Sequence, residues 1–452
     1  MCVTNGVCRG KAASRIALLA LLACGIACVC AASGARADPR FGDSTWVAPA
    51  APFDSAGTAD GSRVAPPDHE RGWETALRLP FRIVFFPLRL VGSGLEAAVG
   101  YVGPRYFEPK PERPPKRGPK LSPYITPTAA NDIGLGVALT WAGLPTVDSR
   151  LRMAAAWSTN DRRRAQFSEA IGVRRPVGFR LLADYDFKPN RRYYGIGNDT
   201  PETDVSYFLL AATSVEAALL LGTSPLRQLR IVSGYSSMSP STGYNAQPLL
   251  EEVFTPASVP YAHQTTQEFW YGVAGNLAAL DDARDPSLGV HGRIDLRRAE
   301  GLQSGDPDYY QWQVEGRAYL PVFAKRRVIV VRGVYAGVDP RGDATTTLPF
   351  YRLPRSEGTT QFAGYASERF RDQQLLLVRF EYRWMILHRL SALALYELGE
   401  VAPRTGAFTL TGAHRSYGGG LRYGLGDQAV VRFELAGSVE GLHAVFALGS
   451  DF

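Results

Sequence analysis

The sequence predicts an all-β protein: a 16-stranded antiparallel transmembrane β-barrel behind an N-terminal periplasmic extension. Three observations predict it. From Leu121 to Phe452, apolar residues recur at every second position in one segment after another, the period of strands with two unlike faces. The intervening positions carry charges in many segments; a solvated sandwich shares that pattern, but the repeats continue far beyond the length of a typical sandwich. The connections alternate between short and long, the pattern of a barrel with tight turns at one rim and loops at the other.

The extension comes first in the chain. Arg9, Lys11 and Arg15 precede the small, apolar stretch Ile16 to Ala32, and Ala35-Arg36-Ala37 precedes Asp38. This is the layout of an export signal over residues 1–37, cleaved after a small-x-small site. "LLAC", ending at Cys24, keeps a lipoprotein signal open as the alternative. Residues 38–120 read as a periplasmic leader: Asp38 to Arg71 is rich in Ala, Pro, Gly, Ser and Asp without periodicity. Trp73 to Val102 is apolar with Arg78, Arg82 and Arg89 interspersed. It fits a hairpin docked on a periplasmic partner, helices lying on a membrane surface, or a plug over the main domain. Pro104 to Lys120 is a basic, proline-rich linker.

The barrel region, 121–452, then supplies sixteen alternating segments: 121–128, 132–143, 149–159, 165–175, 178–188, 204–222, 225–238, 264–281, 289–302, 308–322, 326–338, 372–386, 389–402, 414–424, 427–438 and 441–452. Most are long enough to cross a bilayer as a tilted strand of about 10 residues. In "FRLLADYDFK", Phe179, Leu181, Ala183, Tyr185 and Phe187 stand opposite Arg180, Asp184, Asp186 and Lys188. Trp and Tyr recur near the ends of the apolar stripes, as an aromatic girdle requires. The longest connections fall at 189–203, 239–263 and 339–371. Even parity returns the C-terminus to the periplasmic rim. The final segment, "LHAVFALGSDF", places Phe446, Leu448 and Phe452 in alternation, which resembles a C-terminal β-signal.

Composition sets further bounds. The 452 residues are 45% apolar, yet no run after the N-terminus approaches a transmembrane helix. All five cysteines, Cys2, Cys8, Cys24, Cys28 and Cys30, precede the cleavage site. The mature protein therefore uses no disulfide, and a barrel without free edges is another route to stability. A net charge of +7 is spread along alternating segments instead of clustering, so a solvated or lumen-lining role is favoured and no nucleic acid partner is expected. The expected partners are outer-membrane lipid, the barrel-insertion machinery during biogenesis, and a periplasmic protein reached through residues 73–102.

Four stretches in order carry a family resemblance: "RRYYGIGNDT" (Arg191 to Thr200), "LDDARDPSLGVHG" (Leu280 to Gly292), "GYASERFRDQQLLLVRFEYRW" (Gly364 to Trp384), and "SYGGGLRYG" with "VVRFELAGSVEG" near the end. They resemble the barrel domain of the BamA/TamA outer-membrane superfamily, the bacterial surface antigens. The resemblance implies sixteen strands and a sixth extracellular loop folded into the lumen. It also implies a role in envelope biogenesis, through assembly or translocation of membrane protein or lipid. Relatives acting as insertases or translocators carry periplasmic POTRA domains, and 38–120 is too short and proline-rich for an array, so a POTRA-less member is expected. A passive porin-like channel is the alternative, with 339–371 as its constriction.

The resemblance also points to a lumen lock. Family members carry a glycine-aromatic loop tip preceded by an arginine that reaches inner-face acids. Here Gly364-Tyr365 forms the tip, but Ala363 precedes it. Arg369 and Arg371 then become candidates to pair with Asp372 or Glu381, beside Arg383; a solvated loop is the alternative. Asp282, Arg284 and Asp285 mark a periplasmic turn, where aspartates bond nearby backbone and, by resemblance, a charge faces the lumen. Gly195, Gly197 and Asn198 suit a loop with positive φ.

No enzyme is expected, and neither a cofactor nor a metal. The histidines, His69, His263, His291, His388, His414 and His443, are scattered without ligand spacing, and no Gly-x-Ser-x-Gly elbow occurs. A barrel lipid hydrolase stays as a lesser alternative.

Overall fold

The computed structural model describes residues 118–129, 132–146, 148–172, 175–283, 285–322, 327–342, 347–358, 361–386, 390–424 and 430–449. The signal segment, nearly all of the leader, and with them the expectations about processing and POTRA domains, lie outside the described residues.

Sixteen strands form one sheet in which each pairs antiparallel with its sequence neighbours, in the order β1 to β16. They are β1 (Gly118–Ala129), β2 (Asp132–Ala142), β3 (Ser149–Ser158), β4 (Arg163–Ile171), β5 (Val177–Tyr193), β6 (Ser206–Ser224), β7 (Arg227–Thr242) and β8 (Thr266–Leu280). Then follow β9 (Gly289–Gly301), β10 (Tyr309–Val322), β11 (Arg327–Pro340), β12 (Gln374–Met385), β13 (Leu390–Ala402), β14 (His414–Gly424), β15 (Val430–Ser438) and β16 (Gly441–Gly449). All sixteen expected segments are present. The largest boundary difference is in β5, which continues past Pro189 to Tyr193. Its pairing with β6 shifts register between Lys188 and Arg191. A proline supplies no ladder N–H, and such an irregularity accommodates it.

The alternation resolves into an outer and an inner face. Leu135, Val137, Phe179, Tyr185, Ile231, Phe269 and Phe380 are exposed, whereas Asp184, Arg230, Glu268, Glu315, Arg332 and Glu381 are buried. This inverts a soluble protein and suits a wall bathed in lipid, where the backbone is satisfied by the ladder and the polar side chains face inward.

The interior is filled by the described part (347–358 and 361–373) of the connection between β11 and β12, the sixth loop on the long side. Leu348 and Leu353 join the inward residues Leu220, Val232, Trp270 and Tyr309. Phe350 and Tyr351 pack with Tyr193, Phe208 and Leu210. Phe362, Tyr365 and Phe370 meet Val334, Leu375, Leu377 and Val401. Ala363 reaches Leu393, Leu395 and Ala436. Burial of these loop rings, on the order of 1.5–3 kcal/mol each for a fully buried side chain, holds the loop inside.

Candidate functional site: the sixth loop and its lumenal seat

The tip of the loop sits on the inner face of β13, β14 and β15. A Cβ built on Gly364 would stand 2.5 Å from the Ser416 Cβ and 2.9 Å from the Gly437 oxygen. Glycine is required here by close approach of two backbones. Gly399 plays the matching part on β13, where an added Cβ would fall inside the Phe362 ring. The Tyr365 hydroxyl donates to the Arg415 carbonyl at 3.1 Å.

Ala363 brings no guanidinium, but its backbone N–H donates to Glu397 Oε2 at 2.8 Å. The Ser416 hydroxyl donates to the same oxygen. Arg379, opposite Glu397 in the β12–β13 register, donates Nη1 to Glu397 Oε1 at 2.9 Å. The same guanidinium pairs with Glu434 on β15 and with Glu381 at 3.2 Å. Thus the positive charge that the family resemblance expects from the loop comes from the barrel wall, and the loop supplies an amide.

Arg369 and Arg371 do not take the expected partners. Glu381 is already surrounded by Arg379, Arg383 and Arg432, so no unneutralised charge remains to attract a loop arginine. Asp372 accepts from the Gln373 N–H. Arg369 instead pairs with Glu440, in the β15–β16 connection, at 2.8 Å, and donates to the hydroxyl and carbonyl of Thr200. Arg371 lies among the Tyr193, Phe208 and Phe350 rings, 5.2, 6.0 and 5.5 Å from their centroids. It donates to the Phe350 and Arg192 carbonyls, both at 3.3 Å. Burial, with Arg355 beside it, lowers its basicity below that of an ordinary arginine.

A second ionic node ties the loop to β5. Arg191 donates to Glu357 at 2.7 Å and to Glu368, while Lys188 and Arg355 also reach Glu357. Burial alone would raise the Glu357 pKa; Arg191, Arg355 and Lys188 outweigh it and hold the carboxyl well below its ordinary range. The "YGIGND" loop covers this node. Gly195 and Gly197 have φ of 101° and 119°, and the Gly197 N–H donates to the Arg371 carbonyl at 2.8 Å. Asn198 accepts from the Val401 N–H and donates to the Gly412 carbonyl.

At the other rim, Asp281 frames the β8–β9 turn by accepting from the N–H groups of Asp282, Ser287 and Leu288. Asp282 accepts from the Asp285 N–H at 3.3 Å. Asp285 reaches Arg422 of β14 at 2.9 Å and stands 3.9 Å from Arg383 of β12. Arg284 lies outside the described residues. Phe446 points outward on β16; Leu448 belongs to that strand, and Phe452 lies outside the described residues. Among the described residues, no group of three or more His, Cys, Asp or Glu is placed to hold a metal ion.

Glu397, Glu434, Ser416, Glu357, Glu368, Glu440 and Asp281 were not marked by sequence reasoning. A signal existed for two of them: Glu397 and Glu434 occupy the face opposite Tyr396 and Phe433 in otherwise apolar strands.

A model of the Omp85 superfamily domain matches residues 210–440. The chain belongs to the Omp85 superfamily. As an Omp85 protein of the BamA/TamA type it is an outer-membrane β-barrel. Among solved structures it is similar in fold to BamA from Haemophilus ducreyi lacking POTRA domains 1–3, with a TM-score of 0.55 and 12% identity, covering 74% of this chain and 70% of that one. Weaker likenesses are CdiB from Acinetobacter baumannii (TM-score 0.41, 11% identity, 71% of this chain) and CdiB from Escherichia coli (TM-score 0.43, 11% identity, 71% of this chain). This chain spans 57% of each CdiB chain. No curated protein matches it significantly.

Proposed function

We propose that this Omp85 barrel serves envelope biogenesis as an assembly or translocation barrel for membrane protein or lipid, and is not a passive pore. The observation that carries this reading is the sixth loop, which runs through the lumen and is anchored to walls on both sides of it. A porin's constricting loop leaves a wet passage, whereas Phe350, Phe362, Phe370 and Tyr351 of this loop are buried in apolar clusters. The barrel is then suited to act at its wall and its rims. β1 and β16 stand at the ends of the strand order, and an end strand offers its backbone to an incoming one.

Export through the signal in residues 1–37 and contact with a periplasmic partner through residues 73–102 complete the proposal. The sixth-loop seat, the β8–β9 turn and the C-terminal Phe446, Leu448 and Phe452 are its proposed working parts. Planar-bilayer conductance before and after deletion of residues 355–370 tests it. Near silence before and large conductance after is expected. Steady ion-selective current from the intact protein would instead establish the channel.

A further inference from the structure

Arg422 of β14 is 3% exposed; among the described residues only its Nη1 is engaged, by Asp285, and its Nε and Nη2 are buried without a hydrogen-bond partner. Nε and Nη2 form an edge of the guanidinium that takes a carboxylate with two parallel bonds. Across the β14–β15 ladder Arg422 faces another cation, Arg432. The nearest inner acid on the neighbouring wall, Glu381, is shared by three arginines. Among the described residues, the charge of Arg422 is therefore met in an ion pair by Asp285 alone.

Asp285 is a replaceable partner. Its side chain is 50% exposed. The β8–β9 turn that carries it is closed by Asp281 through backbone N–H groups, so the turn keeps its shape without the Asp285 carboxylate. The same carboxylate stands 3.9 Å from Arg383, which lines the opposite flank. Arg422 is close to the end of β14 at Gly424, so the pair opens toward the periplasmic rim.

We propose that Arg422, with Arg383 beside it, forms a carboxylate-binding site at the periplasmic mouth, and that Asp285, held on Nη1 beside the open Nε–Nη2 edge, is its built-in, displaceable competitor. The ligand is an aspartate or glutamate side chain on a polypeptide reaching the mouth from the periplasm. A peptide carboxylate is favoured because the resident group is itself one, presented on a turn. The site goes beyond the biogenesis reading and does not depend on it.

The test uses the full chain in detergent micelles and a heptapeptide, GSGDGSG, carrying an uncharged dye, with GSGNGSG as its neutral twin. Asp285→Ala is expected to bind the acidic peptide about tenfold tighter than the wild type by fluorescence anisotropy, the worth of one charge-assisted hydrogen bond. Arg422→Gln in that background is expected to remove the gain while the folded, heat-modifiable band persists. If Arg422→Gln does not fold, Arg422→Lys carries the test: it keeps the charge, loses the fork, and should retain only part of the gain. No gain on removing Asp285, equal binding of the neutral twin, or a full gain with Arg422 replaced in folded protein overturns the proposal.

Discussion

Arg369 on the loop and Arg379 on the wall are both arginines at carboxylates, and they sit in very different surroundings. Arg379 serves three strand-borne acids, Glu381, Glu397 and Glu434, all nearly inaccessible to water. Arg369 serves Glu440 in a loop-side connection and the Thr200 carbonyl, and lies over the Tyr194 and Phe370 rings. Removing Arg379 strands Glu397, whose side chain is 1% exposed, whereas removing Arg369, itself buried, strands Glu440, the more open acid at 10%. The comparison teaches that at the loop tip the charge lock belongs to the sheet, and the tip is held by an amide, close backbone contact and aromatic packing, while the loop's own ion pairs lie at the β5 node and at Glu440.

The largest effect should follow Arg379→Ala, which takes the cation from the buried Glu397, while Glu434 and Glu381 keep Arg432. A loss of about 3–5 kcal/mol is expected in urea unfolding of the micelle-bound barrel; a loss near that of a surface pair would break the comparison. Phe362→Ala is next, at about 3 kcal/mol, because it empties the space against Gly399 and the rings of Tyr365 and Phe370. It should also raise conductance by loosening the loop. Gly364→Ala forces the tip away from Ser416 and Gly437, with a loss of about 2 kcal/mol in the same unfolding assay. Arg369→Ala should lose about 1.5 kcal/mol, the hydrogen bonds to Glu440 and Thr200.

The smallest effect sharpens the picture by pH. The folded pKa of Glu357 is depressed, so its contribution is present above the ordinary value of 4.5 and is lost as pH falls through the lower folded value. Protease accessibility of the loop should therefore rise on acidification below that range. In Glu357→Gln this pH-dependent increment should vanish; an unchanged acid profile would remove Glu357 from the account.

The barrel was legible because period-two alternation is a property of each strand by itself. Phe179 against Asp184, or Phe380 against Glu381, declares two faces without any knowledge of neighbours. The loop tip was legible too, since Gly364-Tyr365 stands at the right connection. The partners were not. Nothing in the sequence around Arg379 says that Glu434, far along the chain, lies in reach; that depends on the ladder bringing β12, β13, β14 and β15 side by side. For the same reason the sequence points Arg369 toward Glu381 on the adjoining strand, whereas the fold brings it Glu440. Leu375 and Leu377 belong to the inner face of β12 and form the floor for the loop rings, a role that alternation alone assigns to lumen water. Asp281 and Asp282 offer identical turn chemistry in the sequence, and only the turn's path places Asp281 against the N–H groups of Ser287 and Leu288.

The most direct measurement is a pair of double-mutant cycles, Arg379→Ala with Glu397→Ala, and Arg369→Ala with Glu440→Ala, read by urea unfolding of the full chain. The account predicts a coupling of about 2–3 kcal/mol in the wall pair and about 1 kcal/mol in the loop pair, whose Glu440 is the more open acid. Equal couplings, or a stronger one between Arg369 and Glu440, would place the lock in the loop and contradict it.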